Sequence, residues 1–475
     1  MIWKTAWKNV WRNRVRSLVV IASVTIGIFA GVFSIAFMNG MIAQRIDAAI
    51  NEEISHIQIT GKNYSLNNDP RILITNRDSI ISGISELAGI SGMVERTIIS
   101  GMAGTATKSA GAQIIGINPE MEKRIFTLDK TVMPGTGSYF EKESKYDLAL
   151  IGQDLAKELN IIRYIIDSAV IEKLRARKVP DNTLEKLKSL TGSRFSNEKK
   201  FRKSINSLLS GNEAKKYGYL IKSEAWSFRE GSRLNLTFLD RDNNQVGSVF
   251  RLAGIYDIKN AMYEQSMVFV KDDVLKRLTG LDKYSFHQVI IRLDDINRTE
   301  EVTNDLKNNL TGYDVVSWKV LQPDLAMMTD YVHQMYAFFM AIILAALAFG
   351  IINTMLMVVL ERTKELGMLT AIGMNKRKVF SMIMLESVFL SVTGGFTGMI
   401  VGWLTVLLSA RNGINFAQYA EGMEAFGYSA HVYPEISGEF FITITIMIII
   451  TGIVSSIYPA LKALKLDPAE AIRTD

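Results

Sequence analysis

Four long stretches with almost no formal charge constrain this chain more than any other feature. They are residues 17–44, 331–360, 379–410 and 440–461, and Glu386 is the one acid or base inside them. Each exceeds the ~20 apolar residues that a helix needs to cross a bilayer. Backbone polar groups in hydrocarbon must be satisfied within the segment, so each run is read as a helix. The predicted fold class is a membrane α-helical protein with four transmembrane helices. Between helices 1 and 2 lie 286 residues from Arg45 to Asp330 without a span, ample for a separate domain.

Lysine and arginine placement sets the orientation. Residues 1–16 carry Lys4, Lys8, Arg12, Arg14 and Arg16 and no acid. The connector 361–378 carries Arg362, Lys364, Lys376, Arg377 and Lys378 against Glu361 and Glu365, and the tail 462–475 opens with Lys462 and Lys465. The positive-inside bias puts all three in the cytoplasm, with residues 45–330 and the loop 411–439 outside. Trp3, Trp7 and Trp11 are spaced four apart, so 1–16 reads either as an interfacial amphipathic helix or as a basic flank that sets topology. The run that follows is too long for a cleaved signal peptide and no small-x-small site closes it. The membrane is thus the cell inner (plasma) membrane.

The outer domain, 45–330, shows short alternating segments (111–117, 148–151, 234–239, 248–255, 267–270, 288–293) between helical patterns, which predicts a mixed α+β fold. His56 lacks a partner cluster and reads as a structural histidine. Residues 161–230 differ: they hold +8 of formal charge in a chain of net +6. Ile171, Leu174, Leu184, Leu187, Leu190, Leu208 and Leu209 recur there at helical spacing, so the segment reads as a helical insertion. It is either a solvated basic lid or a docking surface for an acidic carrier or lipid headgroups. The basicity is local and gives no argument for nucleic acid. Zero cysteines remove disulfides and thiolate metal sites.

Within the membrane, Gly27-x-x-x-Gly31 permits close helix approach, and Gly394, Gly398 and Gly402 share one face of the third span beside Gly395. These positions are assigned to helix packing or a dimer seam. Glu386, two turns inside Lys378, is read as a polar contact at a subunit seam, with snorkelling to the interface as the alternative. Leu366, Met368, Leu369 and Ile372 interleave with the connector's charges, so the connector reads as a short amphipathic helix at the cytoplasmic surface.

The run Glu361-Arg-x-x-Glu365-Leu-Gly367, followed by Ala371-Ile372-Gly373, a basic cluster and Glu386 early in a Gly-rich helix, resembles the FtsX/MacB/Lol-type ABC transporter permeases. Tyr458-Pro459-Ala460 and Asp467-Pro468-Ala469-Glu470-Ala471-Ile472-Arg473 resemble that family's closing signature. The resemblance implies a MacB-like extracytoplasmic domain and makes 361–378 a coupling helix for a separate ATPase. Its contact residues would be Glu361, Arg362, Glu365, Leu366, Gly367, Leu369, Ile372 and Gly373, with Leu366, Leu369 and Ile372 as anchors. It implies two ATPase subunits, which carry the ATP and Mg, and a second permease subunit in a homo- or heterodimer. Met38-Asn39-Gly40 and His56-Ile57-Gln58-Ile59 resemble the lipoprotein-releasing branch, whose further partner is a periplasmic lipoprotein carrier.

No Gly-x-x-x-x-Gly-Lys-[Ser/Thr] occurs, the four histidines are scattered, and no Ser/His/Asp set stands out. The chain itself is therefore read as no enzyme, with no catalytic, cofactor-binding or metal residues. Release of lipoproteins is the leading reading. An FtsX-like signalling scaffold acting on an extracytoplasmic hydrolase and a MacB-like efflux permease are the alternatives.

Overall fold

The computed structural model describes residues 2–67, 69–85, 87–140 and 144–465 and separates into two units. One comprises residues 1–45, 324–420 and 429–475; the other comprises 46–323 and 421–428. Pro468 and the signature around it lie outside the described residues.

In the first unit, four helices among the described residues are long and apolar enough to span a membrane: Arg14–Ala48, Pro323–Glu361, Lys376–Asn412 and Gly438–Leu464. The protein is a multi-pass membrane protein with a large extracytoplasmic domain between its first two spans. Local chemistry sets the helix ends. Pro323 opens the second span, where its missing N–H costs nothing. The Asn375 side chain accepts from the Arg377 N–H at 2.9 Å and caps the third span. Gly413, at φ +68°, closes that span. The second span, 39 residues or ~58 Å as helix, exceeds the ~30 Å hydrocarbon core. The fourth runs on through Pro459 to Leu464, although apolar content alone ends it near Pro459.

Glycines decide which spans touch. A Cβ at Gly398 would meet the Thr25 carbonyl oxygen at 2.7 Å and Ile28 Cβ at 2.9 Å; at Gly394 and Gly402 it would meet Val24 and Val32. The third span's glycine face is therefore filled by the first span of the same chain. Thr25 Oγ1 adds a hydrogen bond to the Gly394 carbonyl at 3.1 Å. Gly395 meets Ile448 of the fourth span, while Gly27 and Gly31 meet Leu347 and Met340 of the second. Gly40 lies against the Tyr433 carbonyl, and Asn39 Nδ2 donates to the Glu435 carbonyl at 3.3 Å. The Met-Asn-Gly run thus holds the segment that leads into the fourth span.

Among the described residues, the second unit is built on twelve strands. In chain order they are β1 (Ile57–Gly61), β2 (Ile90–Gly104), β3 (Ser109–Ile117), β4 (Leu148–Gly152), β5 (Ile162–Ile165), β6 (Arg194–Phe195), β7 (Trp226–Phe228), β8 (Arg233–Leu239), β9 (Gln245–Tyr256), β10 (Met267–Lys271), β11 (Gln288–Leu293) and β12 (Tyr313–Ser317). Nine form one sheet in the order β12-β1-β11-β2-β3-β10-β4-β9-β8. β2 is long enough to serve two partners: residues 90–96 pair with β11 and 97–104 with β3. Its last residues also pair with β8, closing six strands into a ring around Ile114, Leu155, Leu234 and Phe250. Gly101 permits that closure, since a Cβ there would meet Phe238 Cβ at 2.9 Å. His56 is buried, and its Nδ1 accepts from the Leu293 N–H at 3.1 Å; burial lowers its pKa to about 4, so it is neutral and structural.

β5, β6 and β7 form a separate three-stranded sheet with β5 in the middle. Four helices surround it: Ser168–Ala176, Asp181–Lys188, Glu198–Leu208 and Gly211–Ala225. Leu174, Leu184, Leu187, Phe201, Ile205 and Ile221 make its core, and Tyr164 stacks on Phe201 at 4.7 Å. Ile162 pairs with Phe228, so the segment's two ends lie side by side.

Candidate functional site: the cytoplasmic connector

The connector between the second and third spans is a nine-residue helix, Thr363–Ala371. It is shorter than the whole 361–378 segment because Gly373 stops it. Gly373 has φ +94°, its N–H donates to the Thr370 carbonyl, and the Met374 N–H donates to the Leu369 carbonyl. That pair of bonds is the Schellman arrangement, and the left-handed position is one glycine fills without strain.

The helix has an inner and an outer face. Leu366 is 3% exposed and, with Gly367, packs inward; Leu369 is half-buried against the bundle core. Met368 and Ile372, four apart, are 53% and 79% exposed. Of the three anchors expected from sequence, only Ile372 faces outward. Met368 is the residue the spacing argument passes over, because one face of a nine-residue helix is too short to show which stripe the bundle takes.

Glu361, Arg362 and Glu365 of the connector are engaged within the chain. Glu386 is buried; its Oε1 accepts from Arg362 Nη1 at 3.0 Å and from Asn9 Nδ2 at 2.6 Å. The carboxylate is thus met by groups of its own chain, on the N-terminal segment and the connector. Glu365 receives Arg362 Nε at 3.1 Å and Arg12 Nη2 at 2.7 Å, and Glu361 pairs with Arg16. The Arg12 guanidinium draws the Glu365 carboxyl below the usual carboxylate range. The net joins the N-terminal segment, the connector and the third span.

The N-terminal helix, Ile2–Val10, enters the same assembly. Ala6 and Val10 are buried in the bundle core. Trp3 and Trp7 stay exposed, each with its ring 5.4 Å from Phe389. Trp11 lies in the turn beyond the helix rather than on it.

Residues 337–468 match the family described as FtsX-like permease C-terminal. Over 232 residues the chain is 29% identical to an uncharacterised ABC transporter permease of Methanocaldococcus jannaschii, covering 47% of this chain and 55% of that protein. It is 20% identical over 231 residues to the lipoprotein-releasing system transmembrane protein LolC of Xylella fastidiosa, with the same coverage. It is 32% identical over 164 residues to the macrolide export ATP-binding/permease protein MacB of Bdellovibrio bacteriovorus, covering 34% of this chain and 22% of that protein. The chain thus spans about half the length of the first and second of these relatives, and less of the third. The matched segment and these relatives liken the chain to ABC-transporter permeases of the FtsX/MacB/Lol superfamily, with no one branch favoured over another.

Proposed function

We propose that the chain is the permease subunit of an ABC complex, and that Met368 and Ile372 seat the connector helix on a separate ATPase subunit. One observation carries this reading. A short helix between two spans exposes two large apolar residues on its outer face while its inner face, Arg362 and Glu365 are fixed to the rest of the bundle. A small buried apolar contact on a rigid base suits the transfer of force between subunits. The ATPase would supply ATP hydrolysis, and a second permease copy or homologue would complete the assembly.

For the cargo, release of lipoproteins from the inner membrane is the reading we retain, supported by the Met-Asn-Gly and His-Ile-x-Ile runs and by the LolC likeness. MacB-like efflux and FtsX-like signalling are the competing readings. The test is co-purification of an ATPase with the tagged chain from native membranes, followed by release of a labelled lipoprotein from spheroplasts. Met368→Glu with Ile372→Glu should abolish both while the chain stays inserted. An ATPase retained by that variant would overturn the docking assignment. Full activity coupling with no lipoprotein release, in the wild type, would overturn the cargo.

A further inference from the structure

Within residues 162–228, helices Glu198–Leu208 and Gly211–Ala225 leave a groove of about 610 Å³ between them. Phe201, Ile205 and Ala214 form its floor. Gly211 and Gly218 lie along it, and a Cβ at either would meet nothing within 4 Å, so the space above the second helix is open. Arg202, Lys215 and Tyr219 stand on the rim, with Tyr219 84% exposed.

The charges of this region are unequally matched. Glu198 is held by Lys222 at 2.6 Å, Glu213 by Lys186 at 2.9 Å and Glu224 by Arg177 at 3.0 Å. Every acid on the two helices is therefore taken up. Arg202 and Lys215 make no ion pair among the described residues, so the groove presents unneutralised positive charge beside apolar surface.

We propose that this groove docks an acidic, amphipathic segment of an extracytoplasmic partner protein. Charge complementarity selects the acid, and exposed Tyr219 beside the open position at Gly218 selects an amphipathic chain laid helix-in-groove. Gly211 to Lys222 spans ~16 Å of helix, too long to be filled by a small inorganic anion. A flat bilayer cannot follow a groove recessed between two helices. The proposal does not depend on which cargo the complex handles.

The test uses the full chain in nanodiscs of zwitterionic lipid. A displayed library of randomised peptides of about 15 residues, long enough for ~22 Å of helix, is selected on it, and enriched peptides are measured by fluorescence anisotropy. Enriched peptides should carry Asp or Glu at i, i+3 and i+4 spacing. Binding should weaken at least about tenfold in Arg202→Glu/Lys215→Glu, and likewise in Gly218→Leu, which fills the groove without changing charge. Lys199→Glu/Lys200→Glu makes the same charge change off the groove and should alter binding less than about twofold. Equal weakening by that control, or wild-type binding to Gly218→Leu, would reduce the effect to diffuse charge and overturn the proposal. So would a consensus without acids. Capture of phosphatidylglycerol vesicles through Arg202 and Lys215, with no peptide bound, would assign the groove to lipid headgroups instead.

Discussion

Arg362 Nη1 lies 3.0 Å from Glu386 Oε1, which ties the start of the connector helix to the buried end of the third span. The Arg362 side chain is only 13% exposed and that of Glu386 5%. Removing Arg362 leaves the Glu386 carboxylate buried without its paired cation, whereas removing Glu386 leaves Arg362 with Glu365, and removing both removes the problem. Arg362→Met should therefore cost about 3 kcal/mol of stability, and Arg362→Met/Glu386→Leu should cost less than that single change. Thermal unfolding of the four variants of the cycle in detergent checks the sign.

The glycine contacts rank by what a side chain would meet. At Gly398 it meets a backbone carbonyl and a β-branched Ile28, neither of which can yield without moving the first span. Gly398→Leu should lower folded yield severely. Gly350, in the second span, has nothing within 4 Å, so Gly350→Ala should be neutral or stabilising by about 0.5–1 kcal/mol. Size-exclusion profiles and melting temperatures of both variants decide the matter.

The two faces of the connector separate stability from docking. Leu366→Glu puts a charge against the bundle core and should destabilise the chain by several kcal/mol on the order of a buried unpaired ion. Met368→Glu and Ile372→Glu change exposed positions and should shift stability by no more than ~0.5 kcal/mol. A melting-temperature drop in the second pair comparable to the first would show that the assigned outer face is packed.

The outer domain contains a carboxyl that titrates near neutrality. Glu264 is 3% exposed and accepts the Ile258 N–H at 2.7 Å and the Asp154 N–H at 3.3 Å; burial, with Asp257 and Asp154 nearby, raises its pKa to about 7. A carboxyl that binds its proton more tightly when folded stabilises the fold at low pH, and that contribution is lost as pH rises through about 7. The outer domain should therefore lose stability between about pH 4.5 and about pH 7, by at most ~1.4 kcal/mol per unit, and level off above. Glu264→Gln should flatten that slope. Urea unfolding followed by Trp226 and Trp318, with the other tryptophans replaced by Phe, measures it.

Much of this fold is legible in the linear chain because its signals are long. Runs of some 20 to 30 uncharged residues admit one reading, and Ile171, Leu174, Leu184 and Leu187 all reach a core from their spacing alone. Short or distant relationships are not legible. β6 and β7 have two and three residues, too few to show alternation, so a segment that spacing marks as helical also holds a sheet. The partner of Gly398 is Ile28, some 370 residues earlier, and that of Glu386 is Asn9; no local pattern carries either pairing. Glu365, Glu361 and Arg362, which look free on the connector in sequence, are committed in three dimensions to Arg12, Arg16 and Glu386.

The pairing of Ile162 with Phe228 has a consequence for how such a chain can change over time. A segment that departs and returns at neighbouring strand positions is a cassette. It can be lengthened, exchanged or cut back to a tight turn without displacing Leu159 or Leu234 in the ring core, since its two roots are already held side by side by the β5–β7 pairing and the Arg229 N–H to Ile161 carbonyl bond. Novelty in what the outer domain touches can then accumulate in the cassette while the ring and the four spans stay under their own, separate packing constraints.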